Sequence, residues 1–244
     1  MATLDAEEFQ RLSQQLHESD RHVLADAIGA LCRSGDPAAL QAVIDILEHE
    51  DRYPPAAAVL ARQRLVSSAE ETLEALLDHL GRSPGTRGGE SCACLLGEIA
   101  ALRQRHDPRA QAALVRALEI VLPQGLTRAG GIVMGLEYLS RLGPLPEATS
   151  VLRQLLARAL REPDCPATIS AGAVRVLYVN EGDAILAELG TLAQALPGEH
   201  NLRTAIDHLL TARVAGQPHH AHDPLPWEHE ATPTSAEPPR PTCD

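Results

Sequence analysis

Aromatic side chains are scarce in this sequence: they make up 2% of its residues, as one Phe, three Tyr and one Trp. Hydrophobic residues nevertheless reach 44%, and most of them are Ala and Leu. Ala and Leu are the strongest apolar helix formers, whereas strands favour β-branched and aromatic side chains. The composition therefore predicts an all-α fold.

Lysine is absent, so all 21 basic residues are Arg. The 33 acidic residues outnumber them and give a formal net charge of −12 at pH 7. A nucleic-acid binder needs a positive field to displace counterions from phosphates. We therefore expect no nucleic-acid partner. The acidic charge better suits another protein as the partner, and one version of this expectation is a partner with a basic surface.

Long apolar runs are also lacking, and we expect no signal peptide. The first residues are acidic, without the positive and apolar regions of a signal peptide, and no stretch approaches the roughly 18 consecutive apolar residues of a membrane span. The cysteines are odd in number, which suits free thiols in a reducing compartment. They are Cys32, Cys92, Cys94, Cys165 and Cys243. We expect a cytoplasmic protein without a membrane partner.

Motifs of common catalytic sites are missing as well. The sequence has no P-loop, no nucleotide-binding glycine motif and no serine nucleophile elbow. The glycine-rich run 130–135 falls inside a predicted helix, so we do not expect it to bind phosphate. Cys92 and Cys94 are two positions apart on a predicted helix and point to nearly opposite sides, which favours two buried thiols over a metal-binding pair.

Helical periodicity is the main positive feature, and it continues up to about residue 214. It predicts about twelve helices joined by short connections. Two helices are predicted to begin at Asp36 and Asp107, each followed by Pro, because Asp can cap the free amides and Pro lacks an N–H that would be unpaired anyway. The Gly-rich run 81–89 is predicted to be a loop, followed by a helix over 90–105.

Leucines recur at comparable places near the ends of alternate helices, at separations of 33, 38, 38 and 36 residues. They are Leu47, Leu80, Leu118, Leu156 and Leu192. A period in the high thirties made of two helices is typical of HEAT repeats. The segments 35–40 (GDPAAL) and 106–110 (HDPRA) resemble the turn and Asp-Pro start of bacterial HEAT repeats.

This resemblance covers residues 1–214. It implies a HEAT-like, right-handed α-solenoid of about six antiparallel helix pairs. It implies little about activity, because HEAT repeats serve many functions.

The predicted second helices at 129–142 and 166–179 are poor in charge and rich in small residues. The small residues are Gly130, Gly131, Gly135, Ser170, Ala171, Gly172 and Ala173. Small residues let neighbouring backbones approach, and tight packing can offset the roughly 1 kcal/mol by which Gly disfavours a helix interior. We interpret these helices as the most buried ones; the alternative is a smooth surface that receives a partner.

The composition changes at residue 215, and the last thirty residues contain seven prolines. We predict a disordered, Pro- and His-rich acidic tail over 215–244. Its Trp227, the only Trp, is a candidate docking residue, either for the helical domain or for an external partner. The histidines between 219 and 222 can bind a transition ion, but we expect no specific metal site there.

Three His-Glu pairs, at 17–18, 49–50 and 229–230, resemble the iron-binding dyads of deoxyhypusine hydroxylase, a HEAT-repeat enzyme. That family places its dyads at corresponding inward positions, whereas these lie at helix ends and in the tail. Bilin lyases are a second group of HEAT-like enzymes. A tetrapyrrole pocket usually uses aromatic side chains, which are scarce in this sequence. We therefore expect no enzyme, cofactor or metal, with a HEAT-like enzyme or cofactor lyase as the alternative.

Acidic runs at 48–51 and 70–78 are expected to be solvated outer faces, and the sharper hypothesis is an acidic surface that attracts a basic partner. Acidic repeats of this kind resemble immunity proteins that bind secreted toxins. We predict a non-enzymatic protein-binding scaffold or inhibitor, with a toxin-immunity protein as one version. The candidate contacts are polar positions on the apolar second helices: Glu98, Glu137, Tyr138 and Arg175.

Overall fold

The fold is described from a computed structural model, which places residues 4–162 and 165–214. These residues form twelve α-helices, four short 3-10 helices and no strand, so the all-α prediction is confirmed for them. No helix among them is long and apolar enough to cross a bilayer. The predicted tail over 215–244, with Trp227, lies outside the described residues.

The helices follow one another with short connections. They are α1 (Ala6–Gln15), α2 (Arg21–Ser34), α3 (Pro37–Glu48), α4 (Ala57–Ser67), α5 (Ala69–Arg82), α6 (Arg87–Leu102), α7 (Pro108–Val121), α8 (Gly130–Ser140), α9 (Thr149–Ala159), α10 (Ala167–Glu181), α11 (Ala184–Ala195) and α12 (Asn201–Val214). The 3-10 helices are Glu50–Arg52, Leu122–Gln124, Leu126–Arg128 and Pro146–Ala148.

The two predicted Asp-Pro helix starts are confirmed. Asp36 Oδ1 accepts a hydrogen bond from the Ala38 N–H at 2.8 Å, and Asp107 Oδ1 accepts one from the Arg109 N–H at 2.8 Å. The proline after each Asp occupies the first helical position, where its missing N–H removes no bond. Local sequence alone therefore determines where α3 and α7 begin.

The start of α6 differs from the prediction, because α6 begins inside the run 81–89. Thr86 caps it, with Oγ1 accepting from the Gly89 N–H at 3.1 Å. Glu48, at the end of α3, also serves this start: its Oε2 accepts from the Gly88 N–H at 2.8 Å and from Thr86 Oγ1 at 2.6 Å. Glu48 is therefore not part of a solvated acidic face, since its carboxylate satisfies free donors at a helix N-terminus.

His79 of α5 lies buried beside this carboxylate. Its Nε2 is 3.6 Å from Glu48 Oε2, and its Nδ1 is 3.4 Å from Gln41 Nε2. Burial lowers the pKa of His79 from its usual 6.5 and outweighs the opposite influence of Glu48. The neutral ring accepts from Gln41 at Nδ1, whereas Nε2 faces Glu48 without a hydrogen bond. The Gln41 contact joins α3 to α5, and Glu48 joins α3 to the start of α6.

The helices pack as consecutive pairs, from α1 with α2 to α11 with α12. Even-numbered helices also pack side by side in the order α2, α4, α6, α8, α10, α12, and we term them the even row. The odd-numbered helices α3, α5, α7 and α9 contact one another in the same way. One continuous hydrophobic core runs between these helices from Leu12 to Leu209.

The closest approach in the even row is between α6 and α8, and it depends on glycine. A Cβ on Gly97 would lie 2.6 Å from the Cα of Gly135. A Cβ on Gly131 would overlap the backbone of Glu90. In α10, a Cβ on Gly172 would lie 2.6 Å from a Val133 side-chain carbon. Small residues thus bring α8 and α10 close to their neighbours, as expected. The expectation that these two helices are the most buried ones is wrong, because the longest uninterrupted buried run, 92–100, lies in α6.

Candidate functional site

The candidate site lies on the even row, where α6 and α8 present residues at spacings of four. Cys94 and Glu98 share one face of α6, and Met134 and Tyr138 share one face of α8. The two faces meet, because Cys94 Sγ lies 3.3 Å from Met134 Sδ. Arg62 of α4 reaches the same place, with Nη2 3.5 Å from Cys94 Sγ. We term these five residues the Glu98 site.

Glu98 is a nearly buried carboxyl without a partner. The residue is 5% exposed, and its carboxyl forms no hydrogen bond or close ion pair with any described residue. Its oxygens are also absent from the enclosed, unpaired polar atoms of the described residues, which belong to Ser13, His79, Glu90 and His200. The carboxyl oxygens therefore keep a narrow opening to the surface.

The environment of Glu98 makes it a group that titrates near neutrality. Burial raises the pKa of Glu98 from 4.5 to about 7, and the nearby positive charge of Arg62 opposes the shift only in part. An unpaired carboxylate in low dielectric surroundings is unfavourable, which is the cause of the higher pKa. At pH 7 the site thus exchanges readily between a neutral acid and an anion.

Tyr138 brings a hydroxyl to the same face. The residue is 5% exposed, its ring lies under the Arg141 guanidinium at 4.8 Å, and its hydroxyl forms no hydrogen bond within the described residues. Burial, followed by the negative charges that Cys94 and Glu98 can carry, raises the pKa of Tyr138. The phenol therefore stays protonated and can donate a hydrogen bond, while Glu98 can accept one.

Glu137 and Arg175, the other two predicted contact residues, are paired with each other. Arg175 Nε donates to Glu137 Oε1 at 2.8 Å, and Arg175 Nη2 donates to Glu137 Oε2 at 2.9 Å. This two-point pair joins α8 to α10. Of the four predicted residues, Glu98 and Tyr138 thus keep unpaired polar groups, whereas Glu137 and Arg175 lock the neighbouring helices together.

The thiols near the site are protonated. Cys92 and Cys94 are 0% and 3% exposed, as expected for buried apolar residues. Burial raises the pKa of Cys94 to about 11 and raises the pKa of Cys92 further. Because the thiolate is the reactive form of cysteine, neither is an activated nucleophile at neutral pH.

Apolar surface flanks the unpaired polar groups. Met134 is 41% exposed, and Leu102, four residues after Glu98 on α6, is 54% exposed. Protein interfaces commonly combine Met, Tyr and Arg with a central group that becomes desolvated on binding. The site therefore pairs an acceptor and a donor with exposed apolar side chains.

Sequence inspection missed Arg62, Cys94 and Met134 as members of this site. The spacings of four between Cys94 and Glu98, and between Met134 and Tyr138, could have grouped these residues by helix face. The position of Arg62 depends on how α4 packs on α6, which no local pattern predicts.

The first two His-Glu pairs lie near each other around Tyr53. His17 stacks on the Tyr53 ring at 4.8 Å, Tyr53 Oη donates to Asp45 Oδ2 at 3.3 Å, and His49 Nε2 is 3.9 Å from Asp45 Oδ1. No group of three or more His, Cys, Asp or Glu that could hold a metal occurs among the residues with described positions. The pair 229–230 lies outside them.

The acidic run of α5 is exposed, as predicted, but three of its carboxylates face arginines. Asp78 lies 2.8 Å from Arg82, which belongs to the same helix. Glu74 lies 2.6 Å from Arg109 and Glu70 lies 3.8 Å from Arg103. These exposed pairs contribute little to stability, and they reduce the negative field of this face. The Glu98 carboxyl, by contrast, has no such partner.

The chain was also compared with known proteins. The search found no match to a protein-family model, to a curated protein or to a solved structure.

Proposed function

We propose that the protein is a non-enzymatic protein-binding scaffold or inhibitor whose partner contacts the even row at the Glu98 site. The observation that carries this proposal is the Glu98 carboxyl, which is 5% exposed and unpaired but open to the surface. A nearly buried polar group without a partner is unfavourable in the free protein. An Arg or Lys side chain of the partner would remove that cost by forming a charge-assisted hydrogen bond.

The surroundings of Glu98 favour a protein as the partner. Leu102 and Met134 offer exposed apolar contact area, and Tyr138 offers a hydroxyl beside it. The net charge of −12 would attract a basic surface from a distance and speed association. An inhibitor that covers a basic toxin, as an immunity protein does, is one version of this function.

The proposed architecture is a HEAT-like α-solenoid of six helix pairs. Its support is the packing of consecutive pairs and of the even row, together with the recurring leucines and Asp-Pro starts. In a solenoid, neighbouring repeats form an extended surface, and Arg62, Glu98 and Tyr138 would come from three successive repeats. The buried free thiols of the described residues suit the cytoplasm as its location.

The test uses the full chain as bait in extracts of the source cells, with quantitative mass spectrometry of what it retains. Wild type is compared with Glu98→Gln and with the control Glu70→Gln, which removes an acidic group that is 82% exposed. We expect a partner that wild type and Glu70→Gln retain at pH 8, and that Glu98→Gln retains about tenfold less, equivalent to ~1.4 kcal/mol. Equal retention by all three proteins would reject the site.

The pH dependence gives a second readout from the same experiment. Because the pKa of Glu98 is about 7, wild type should lose retention between pH 8 and pH 6 as the carboxylate is protonated. Glu98→Gln should change much less over this range. An identical pH dependence in both proteins would assign it to the partner or to other groups.

The alternative of a HEAT-like enzyme or cofactor lyase is favoured by one observation on the same residue. A carboxyl with a pKa of about 7 is well suited to transfer protons at neutral pH. In that case native mass spectrometry should find a small molecule, and no protein, on the wild-type chain, and find it reduced on Glu98→Gln.

A further inference from the structure

A groove lies between α9 and α11, away from the Glu98 site. Its volume is about 490 Å³, in the range of about 300–1,000 Å³ that small-molecule pockets occupy. Leu156 of α9 and Leu160, which directly follows α9, form one wall. Leu189 and Leu192 form the wall on α11, and the fully buried Leu177 of α10 lies between them. Five of the eleven lining residues are thus leucines.

The groove suits an apolar occupant because the charges at its edge are already paired. Arg153 donates to Glu181 at 2.6 and 3.0 Å and to Glu188 at 2.8 and 3.0 Å. Leu160 and Leu192 are only half-buried, so their walls still contact water. Covering them with an apolar side chain would be favourable by the hydrophobic effect.

We propose that the segment 224–227 (PLPW) of the same chain docks in this groove, with Trp227 against the leucine walls. After α12 the sequence contains one Leu and one Trp and no Val, Ile, Met, Phe or Tyr. Leu225 and Trp227 are therefore the large apolar side chains of the whole segment 215–244, and they stand next to prolines. A Trp side chain alone can bury about 150–250 Å².

The position of α12 places this segment within reach. α12 packs on α10 and α11, and it follows α11 after the connection 196–200. Because helices joined by so short a connection run antiparallel, α12 ends near the end of α11 that carries Ile185, one of the residues lining the groove. The thirteen residues from Val214 to Trp227 can span up to about 45 Å, whereas α11 is about 18 Å long.

The segment of the same chain is favoured over a second copy by its attachment. A short connection gives a tethered group an effective concentration in the millimolar range, far above the concentration of the protein in a dilute solution. The prolines at 224 and 226 restrict the backbone around Leu225, so less entropy is lost on docking. Both effects favour occupation of the groove within one molecule.

Fluorescence of Trp227 tests the proposal directly, because it is the only Trp in the chain. In the folded full chain we expect emission at shorter wavelength than in urea-unfolded protein, and quenching by acrylamide several-fold weaker. Leu192→Glu places a charge in the groove, and Ala157→Arg fills it from an exposed position. Both variants should restore the emission and quenching of the unfolded chain while far-UV circular dichroism still reports folded helices.

Val59→Glu is the matched control, since Val59 is exposed on α4 and that helix does not pack on α9 or α11. It should leave the Trp227 signal of wild type unchanged. Wild-type emission equal to that of the unfolded chain would overturn the proposal. A shifted emission that disappears on dilution would also overturn it, because that result indicates docking between two copies of the chain. The same holds for a shifted emission that persists in both groove variants.

Discussion

At the scale of single residues, Glu98 is the position where the side chain best for stability differs from the side chain best for binding. Its carboxyl is nearly buried and has no partner among the described residues, so the free protein contains an unfavourable group. A neutral side chain of similar shape would be better for folding alone. Retaining a carboxyl there is reasonable if binding supplies the missing cation, which is the kind of conflict expected at a functional site.

This conflict predicts how Glu98→Gln changes stability with pH. The pKa of Glu98 is raised from 4.5 to about 7, so the folded protein holds the proton more tightly than the unfolded chain does. The stability contributed by the protonated carboxyl is therefore complete below pH 4.5 and is lost as the pH rises through 7. Gln resembles the protonated form at every pH, so Glu98→Gln should equal wild type near pH 4.5 and be more stable by about 2 kcal/mol at pH 8.

Urea denaturation at several pH values measures this difference. Glu70→Gln serves as the control, because it changes a carboxylate that is 82% exposed and should stay within about 0.5 kcal/mol of wild type throughout. A stability difference between wild type and Glu98→Gln that does not depend on pH would contradict the raised pKa.

The residue scale is also where sequence inspection reached its limit. Glu98 and Glu137 meet the same sequence criterion, a polar position on an apolar helix, but Glu137 is paired with Arg175 and Glu98 is unpaired. Glu48 belongs to a run whose sequence predicts a solvated face, yet its carboxylate accepts from the start of α6 across a separation of 40 residues. Both distinctions depend on which helices become neighbours, which is not encoded in the local pattern.

At the scale of helices, the contact of α6 with α8 should be the least tolerant of added volume. Gly97 and Gly135 bring the two backbones together, and a Cβ on Gly97 would overlap the backbone of Gly135 rather than a flexible side chain. Backbone cannot move aside without separating the helices, so the extra methyl group cannot be absorbed by rotamer changes.

Gly97→Ala should therefore destabilise the protein by about 2–4 kcal/mol, although Ala is the better helix former. Gly190→Ala on α11 is the matched control, because nothing lies within 4 Å of its added Cβ. It makes the same chemical change inside a helix and should be neutral or stabilise by up to about 1 kcal/mol. Midpoints of urea denaturation compare the two variants. Equal changes in the free energy of unfolding for the two variants would mean that α6 and α8 can move apart at no cost.

Helix positions were largely predictable, and the exceptions have a physical cause. The Asp-Pro starts of α3 and α7 and the apolar stripes were predicted from sequence, since capping and periodicity are local. The start of α6 was not, because its first turn contains two glycines that are weak helix formers by themselves. Thr86 and the distant Glu48 satisfy the free amides there.

At the scale of the whole molecule, burial is distributed unevenly along the chain. α6 buries an uninterrupted run over 92–100, α1 buries only Leu12, and α11 buries Ile185, Leu189 and Ala193. If stability in stacked helix pairs is a sum of each pair and its nearest-neighbour contacts, the helices at the two ends should open while the central ones stay folded. Composition and periodicity predict the helices, but this gradient follows from their packing.

Hydrogen exchange of the full chain at pH 7 measures the gradient helix by helix. We expect amides of α6 and α8 to exchange most slowly, and those of α1 and α11 at least about tenfold faster, equivalent to ~1.4 kcal/mol in opening free energy. Gly97→Ala should accelerate exchange in α6 and α8 before it affects α1, because it weakens their shared contact. If all helices exchange at one rate and the variant accelerates them equally, the chain opens as a single unit. The Glu98 site would then have no more local rigidity than the ends, whereas slow exchange confined to α6 and α8 places the unpaired carboxyl on the most stable part of the protein.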